Sequence, residues 1–249
     1  MNTESVLRSA LVAGFIGLIE LLCRTHVIPQ SVLIAPSQMF THLLALVSAG
    51  QYGNDILFSF TNILVSAFIA IISGFFIGLA VHSMPRFRAA LEPLLASYYA
   101  VPTFIFYPVF IVVFWVGHGS IIAIAVLLAI VAMITATLTG LDRIPHVLRK
   151  SASVMRMSRL ETAWRIELPA ALPYLFGGVK LAVAYSFIGV IASEFILSGA
   201  GIGYAIAFAY NNFESDNMYA LMLLVLISVT LINAVLNFFD RRLQARRQR

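Results

Sequence analysis

The sequence predicts an all-α integral membrane protein: six transmembrane helices in a single domain, 1–249. Three observations carry this. Of 249 residues, 61% are hydrophobic and only 11% charged, whereas soluble chains average about a quarter charged residues. The mean hydropathy is +0.94, and the charges are clustered, which leaves several almost uncharged runs. A helix needs about 20 apolar residues to cross a bilayer, and several runs here reach that length. The basic residues, finally, fall on one side of the membrane if six spans alternate.

The first span covers about 9–22. It is short, with Glu20 near its outer end. It follows Arg8 in the manner of a signal peptide, but no A-x-A-like site follows it. Leu22 before Cys23 is too large for a typical lipoprotein cleavage site, so the run is expected to be retained. The external segment Thr25 to Asn54 comes next. Pro36 is suited to the first position of a helix, and Phe40, Leu43, Leu44 and Val47 then recur on one helical face. This predicts a helix lying along the membrane surface as an interfacial connector. The second span, 56–81, is long enough to tilt. The third, 99–116, contains Pro102 and Pro108. The fourth covers 121–138, the fifth 174–196 and the sixth 219–239.

Fourteen of the sixteen Lys and Arg residues lie before span one, between spans two and three, between four and five, or after six. Arg24 and Lys180 are the exceptions, and Lys180 is expected to snorkel from span five towards the cytoplasm. The opposite face carries Asp55, Glu214 and Asp216. The positive-inside rule then puts both termini in the cytoplasm. The net charge of +5 reads as membrane orientation and gives no reason to expect nucleic acid. One cysteine, Cys23, excludes an internal disulfide framework.

The cytoplasmic loop, about 139–172, is the longest charged segment. Ile144-Pro145 can open a helix, with Leu148, Ala152 and Met155 at helical spacing. Ser158 and Glu161 fit a capping box, each side chain serving the other's backbone N–H. A second short helix would carry Leu160, Ala163, Trp164 and Ile166. Pro169 restricts Leu168 and disfavours further helix, so Leu168-Pro169 is expected to end that helix and Pro169 and Pro173 to launch span five. A positive-inside anchor without a partner is one reading of the loop. A docking surface is the other, and it explains why Leu160 and Trp164 should face outward.

Polar residues inside spans form a second group of candidates. Glu194 lies near the outer end of span five, where a charge in lipid is expensive. Gating or packing at the outer mouth is one role, and a carboxylate satisfied by water or helix ends is the other. Asn62, Thr103, Tyr185 and Ser186 can line a pathway or hydrogen-bond between helices. Gly201 and Gly203, with Gly199, suit a tight external turn. The five histidines are scattered without an H-E-x-x-H, so no metal site is expected, nor any catalytic residue. There is no G-x-x-x-x-G-K-[ST] phosphate cradle.

The segment "LRKSASVMRMSRLETAWRIELPAALP" resembles the EAA loop of binding-protein-dependent ABC importer permeases: Glu-Ala-Ala, three residues, Gly, nine residues, Ile, one residue, Leu-Pro. Leu168, Pro169 and Ile166 match, and Ala152 matches the second Ala. Lys150 and Ser151 stand where the family has Glu and the first Ala, and Arg156 stands at the Gly. "VLIAPSQMFTHLLAL", "LEPLLASYYAVPTFIFYPVFIVVFWVGHGS" and "IASEFILSGAGIGYAI" are similar to further stretches of that family, in the branch for nitrate, sulfonates and taurine. The resemblance implies the type I importer permease fold in a bacterial inner membrane, with a coupling loop over 145–169 that includes Lys150, Ala152, Arg156, Ser158, Leu160, Glu161, Trp164, Ile166, Leu168 and Pro169. It implies a second permease chain, identical or related, two ATPase subunits that carry the ATP and Mg, and an external binding protein. This chain would bind no cofactor. A secondary transporter or channel is the alternative, but such carriers usually show more mid-membrane charges and broken helices. A membrane enzyme lacks any supporting cluster.

Overall fold

The structure, a computed structural model, describes residues 3–29 and 32–245. The basic residues Arg246, Arg247 and Arg249 lie outside the described residues. The described chain is helical, in the order α1 (Thr3–Arg24), α2 (Pro36–Ala49), α3 (Gly53–His82), α4 (Pro85–Ser97), α5 (Tyr107–Phe114), α6 (His118–Asp142), α7 (His146–Val154), α8 (Arg159–Thr162), α9 (Leu168–Leu197), α10 (Ile202–Asn211) and α11 (Ser215–Ala245).

Long apolar runs become long helices because backbone N–H and C=O groups in lipid must be satisfied within the segment. Among the described residues, four helical stretches are long and apolar enough to cross a membrane: Gly53–His82, His118–Asp142, Arg159–Ile196 and Ser215–Arg242. A fifth crossing arises if the pair Pro85–Ala100 and Thr103–Phe114 forms one bent span. This pair departs from the single third span expected over 99–116, because it begins at Pro85 and its halves meet at 92°. The cause is local. Val101, just before Pro102, is pushed out of the helical region to φ −91°, ψ 119°. Pro102 itself is extended, and only then does the chain wind through a 3₁₀ turn into α5. The first apolar run forms a longer helix than the 9–22 expected, reaching Arg24.

The centre of the bundle is α6, which packs along both α3 and α9. Ile121, Ile124, Ala125 and Ala129 on α6 are fully buried. Small residues allow the close approach that drives helix association in lipid. A Cβ on Gly189 of α9 would sit 2.6 Å from Ala125 Cα, and one on Gly178 would sit 2.4 Å from Ala136 Cβ. At one end of the bundle, Arg88 of α4 makes a two-pronged bond to Asp142, 2.8 Å on one prong, and His82 of α3 approaches the same carboxylate at 3.5 Å.

The helix expected after Pro36 is α2, with Pro36 in its first turn and Leu43 its buried residue. Glu20 of α1 fixes its start by accepting from the Ser37 N–H at 3.0 Å and the Ser37 hydroxyl at 2.6 Å. Arg24 donates to the same carboxylate. Lys180 reaches from α9 towards the last turns of α11. It donates to Asp240 of α11, with Asn237 at 3.4 Å, because a carboxylate one helix away satisfies the ammonium more cheaply than a long reach through apolar surroundings.

Candidate functional site

The loop between α6 and α9 folds back on itself. Leu141 and Ile144 at its start pack with Ala170 at its end. Leu168 packs on the cluster of Met133, Ala171 and Leu175. Arg149 of α7 reaches across, donating through Nη2 to the Leu141 carbonyl at 3.1 Å and placing Nε 3.2 Å from Glu167 Oε1. Arg149, mid-way along α7, thereby links that helix to the end of α6 and to the residue that precedes α9.

Helix α7 ends in a Schellman motif. Met157 N–H donates to the Ala152 carbonyl and Arg156 N–H to Ser153, both at 3.1 Å. This closure needs a left-handed residue at the position just past the cap, where glycine is usual. Arg156 adopts φ +51°. The bend is therefore made at Arg156, in a conformation that glycine adopts most readily. Ser158 then starts α8 with a complete capping box: Glu161 N–H donates to Ser158 Oγ at 3.2 Å, and Ser158 N–H to Glu161 Oε2 at 2.9 Å.

The expected break at Leu168-Pro169 is not there. Helical backbone runs from α8 into α9 through a π-helical turn, Ala163–Glu167, and Leu168 keeps helical angles, φ −62° and ψ −49°. The physical reason lies in the proline. Pro169 has no N–H and its ring would collide with the carbonyl four residues back. The wider π turn shifts the bonding by one residue, so Leu168 N–H reaches Ala163, and the helix passes the proline intact. Pro173 is likewise carried inside α9.

Of the candidate loop residues, Ala152 is buried, Ile166 and Leu168 are half-buried, and Lys150, Arg156, Ser158, Glu161 and Pro169 are exposed. Leu160 is 70% exposed and Trp164 65% exposed, one helical turn apart. Val147, Val154 and Met155 are also exposed. Of the stripe expected on α7, Met155 turns outward while Ala152 packs inward. Val147 and Val154, seven residues apart on one face of α7, were the overlooked signal.

The pathway candidates separate into two groups. Glu194, Gly201, Gly203 and Asn62 converge. Glu194 is fully buried. Its Oε2 accepts from Ser59 Oγ at 2.6 Å and from Gly203 N–H at 3.1 Å. Ser59 Oγ accepts from Ile202 N–H at 2.7 Å, and Asp55 Oδ1 from Gly201 N–H at 2.8 Å. The first N–H groups of a helix have no partner within it and carry partial positive charge. Here α10's go to side chains of α3 and α9. Gly201 has φ +101°, and a Cβ there would lie 2.4 Å from Glu194 Cδ. Asn62 lies beside Glu194 without closing a well-aligned bond to it, and its Oδ1 is 2.6 Å from His118 Nδ1. Thr103, Tyr185 and Ser186 are not part of this group. Tyr185 stacks on Tyr99 at 4.9 Å, while Thr103 and Ser186 are buried with no hydrogen-bond partner for their hydroxyls.

Sequence reasoning picked Asn62 on α3 but passed over Ser59. The signal was present: Ser59, Asn62 and Ser66 recur at helical spacing and all are fully buried. Among the described residues, no group of three His, Cys, Asp or Glu could hold a metal ion.

A bundle of apolar helices, a loop that presents apolar side chains at the root of a long helix, and a polar joint at that helix's other end define a multi-pass membrane transport subunit. The family described as "Binding-protein-dependent transport system inner membrane component" matches residues 66–249. The chain belongs to that family. It is 28% identical over 184 residues to the nitrate import permease protein NrtB of Leptolyngbya laminosa, covering 74% of this chain and 66% of that one. It is 31% identical over 185 residues to the bicarbonate transport system permease protein CmpB of Synechococcus elongatus, covering 74% and 64%, and 25% identical over 213 residues to the taurine transport system permease protein TauC of Escherichia coli, covering 84% and 78%. The chain thus spans slightly under two thirds of the length of the nitrate and bicarbonate proteins. The fold matches that of a chain in the inward-facing MetNI methionine ABC transporter, with a TM-score of 0.68 at 17% identity, covering 77% of this chain and 95% of that one. This is the type I importer permease fold.

Proposed function

We propose that this chain is the transmembrane permease subunit of an ATP-driven ABC importer, forming a translocation pathway for a small solute delivered by an external binding protein. The observation that carries this is the exposed pair Leu160 and Trp164 on the short helix that runs directly into α9. Large apolar side chains held in water on a tethered loop mark an interaction site. Two ATPase subunits dock there and supply ATP and Mg; the permease binds neither. A second permease chain, identical or related, completes the pathway. Both termini are cytoplasmic, as the distribution of basic residues supports. The six-span count includes α1 and the bent pair. The substrate is a small anion such as a sulfonate, taurine or nitrate, a class that the named relatives support and that extends to bicarbonate.

Co-purification from membranes tests the docking. Leu160→Glu and Trp164→Asp should each strip the ATPase from the permease and abolish uptake. Retained association and transport in both would sink the docking assignment. Uptake of labelled nitrate, bicarbonate and taurine by cells expressing the whole system tests the substrate class, which fails if none is accumulated.

A further inference from the structure

We propose that Glu194 is the positioning residue that ties the outer helix α10 to α9, so that motion imposed on α9 at its cytoplasmic root is delivered to α10 on the opposite face. The inference rests on the importer reading given above. Helix α9 is continuous over 30 residues, about 45 Å at the α-helical rise. The docking loop joins one end, and Glu194 sits one turn from the other.

Three N–H groups at the start of α10 are held by side chains alone: Gly201 by Asp55, Ile202 by Ser59 and Gly203 by Glu194. Two of those side chains belong to α3 and one to α9. The bond between Glu194 and Ser59 joins the two grips. If α9 tilts against α3, this joint is where the displacement must be shared or broken. Glycine makes the grip possible: a Cβ on Gly203 would lie 2.3 Å from the Ile191 carbonyl oxygen and 2.7 Å from Glu194 Cβ. Among the described residues no cation pairs with Glu194, so the start of α10 and Ser59 supply the polar contacts of a fully buried carboxyl group. Such a group is expensive to retain in a membrane without a role. Helix α10 packs in turn on α11, through the cluster of Ile202, Ala205, Ile206 and Leu221, so the displacement has somewhere to go.

The test uses the assembled importer in lipid nanodiscs, with Cys23→Ala as background and spin labels at Phe208→Cys on α10 and Leu57→Cys on α3. Distances are measured without nucleotide and trapped with ATP and vanadate. The expected result is a nucleotide-dependent shift that Glu194→Ala abolishes, with ATPase association retained, and that Glu194→Gln partly restores, because its amide oxygen still accepts. Ser59→Ala loosens the hold of α3 on α10, leaving Asp55 on Gly201 and Glu194 on Gly203, so the shift should be kept or enlarged. A purely structural role would make the two alanine variants alike. An unchanged shift in Glu194→Ala, or no shift in the parent complex, overturns the proposal with the importer reading intact. Failure of the parent chain to associate with an ATPase overturns both.

Discussion

Leu168 donates its backbone N–H to the carbonyl of Ala163, five residues back. That single π-type bond sets the angle at which Trp164 leaves α9, because each residue added or removed turns a helix by about 100°. Pro169 is the cause. Pro169→Ala restores an N–H and removes the ring clash, so the ordinary ladder can close and swing α8 about α9. ATP hydrolysis should persist in the assembled complex while uptake per ATP falls, by about tenfold if the misplacement costs about 1.4 kcal/mol of coupling. Paired ATPase and uptake assays in proteoliposomes check this, and a preserved uptake-to-hydrolysis ratio contradicts it.

Arg156 sits at φ +51°, where an L side chain costs about 1–2 kcal/mol. Arg156→Gly keeps the bend and removes the strain, so it should raise stability by up to about 1 kcal/mol, less the flexibility that glycine adds to the unfolded chain. Arg156→Val should lower it, since a branched side chain tolerates that conformation least. Thermal unfolding in detergent compares the three. A ranking with valine above glycine rejects the assignment.

Ser158 caps α8 through the Glu161 N–H. Ser158→Ala should cost about 1 kcal/mol of local stability, read as faster hydrogen exchange over 158–164. Ser158→Asp should retain the protection, because a carboxylate accepts the same bond and suits a helix N-terminus.

Lys180 and Asp240 bridge α9 and α11, with side chains 26% and 16% exposed. Removing either member of a pair this sheltered loses the bond between α9 and α11, at about 1–3 kcal/mol. Lys180→Met or Asp240→Leu alone should lower the melting temperature. The double variant should lose less than the sum of the single losses, since the same bond is broken only once. Additive losses in this double-mutant cycle rule out the pairing.

The sequence by itself determined what the solvent decides residue by residue. Lipid demands about 20 apolar residues per crossing, so the runs behind α3, α6, α9 and α11 were legible. Local hydrogen bonding demands particular side chains at helix starts, so Pro36 and the Ser158–Glu161 box were legible too. Only the tertiary structure decided what depends on several segments at once. Pro169 reads as a stop signal, but the π turn and the packing of Leu168 on Met133 and Leu175 carry the helix past it. Arg156 reads as a departure from glycine, yet the closure of α7 holds it in glycine's conformation. Lys180 reads as a snorkel, but only the fold brings its partner Asp240, sixty residues on, beside it. Glu194 finds its partners at Ser59, 135 residues away, and at the start of α10. No local pattern specifies such pairings, because they are chosen by the packing of α3, α6 and α9, where the cost of an unsatisfied buried group selects one arrangement over the rest.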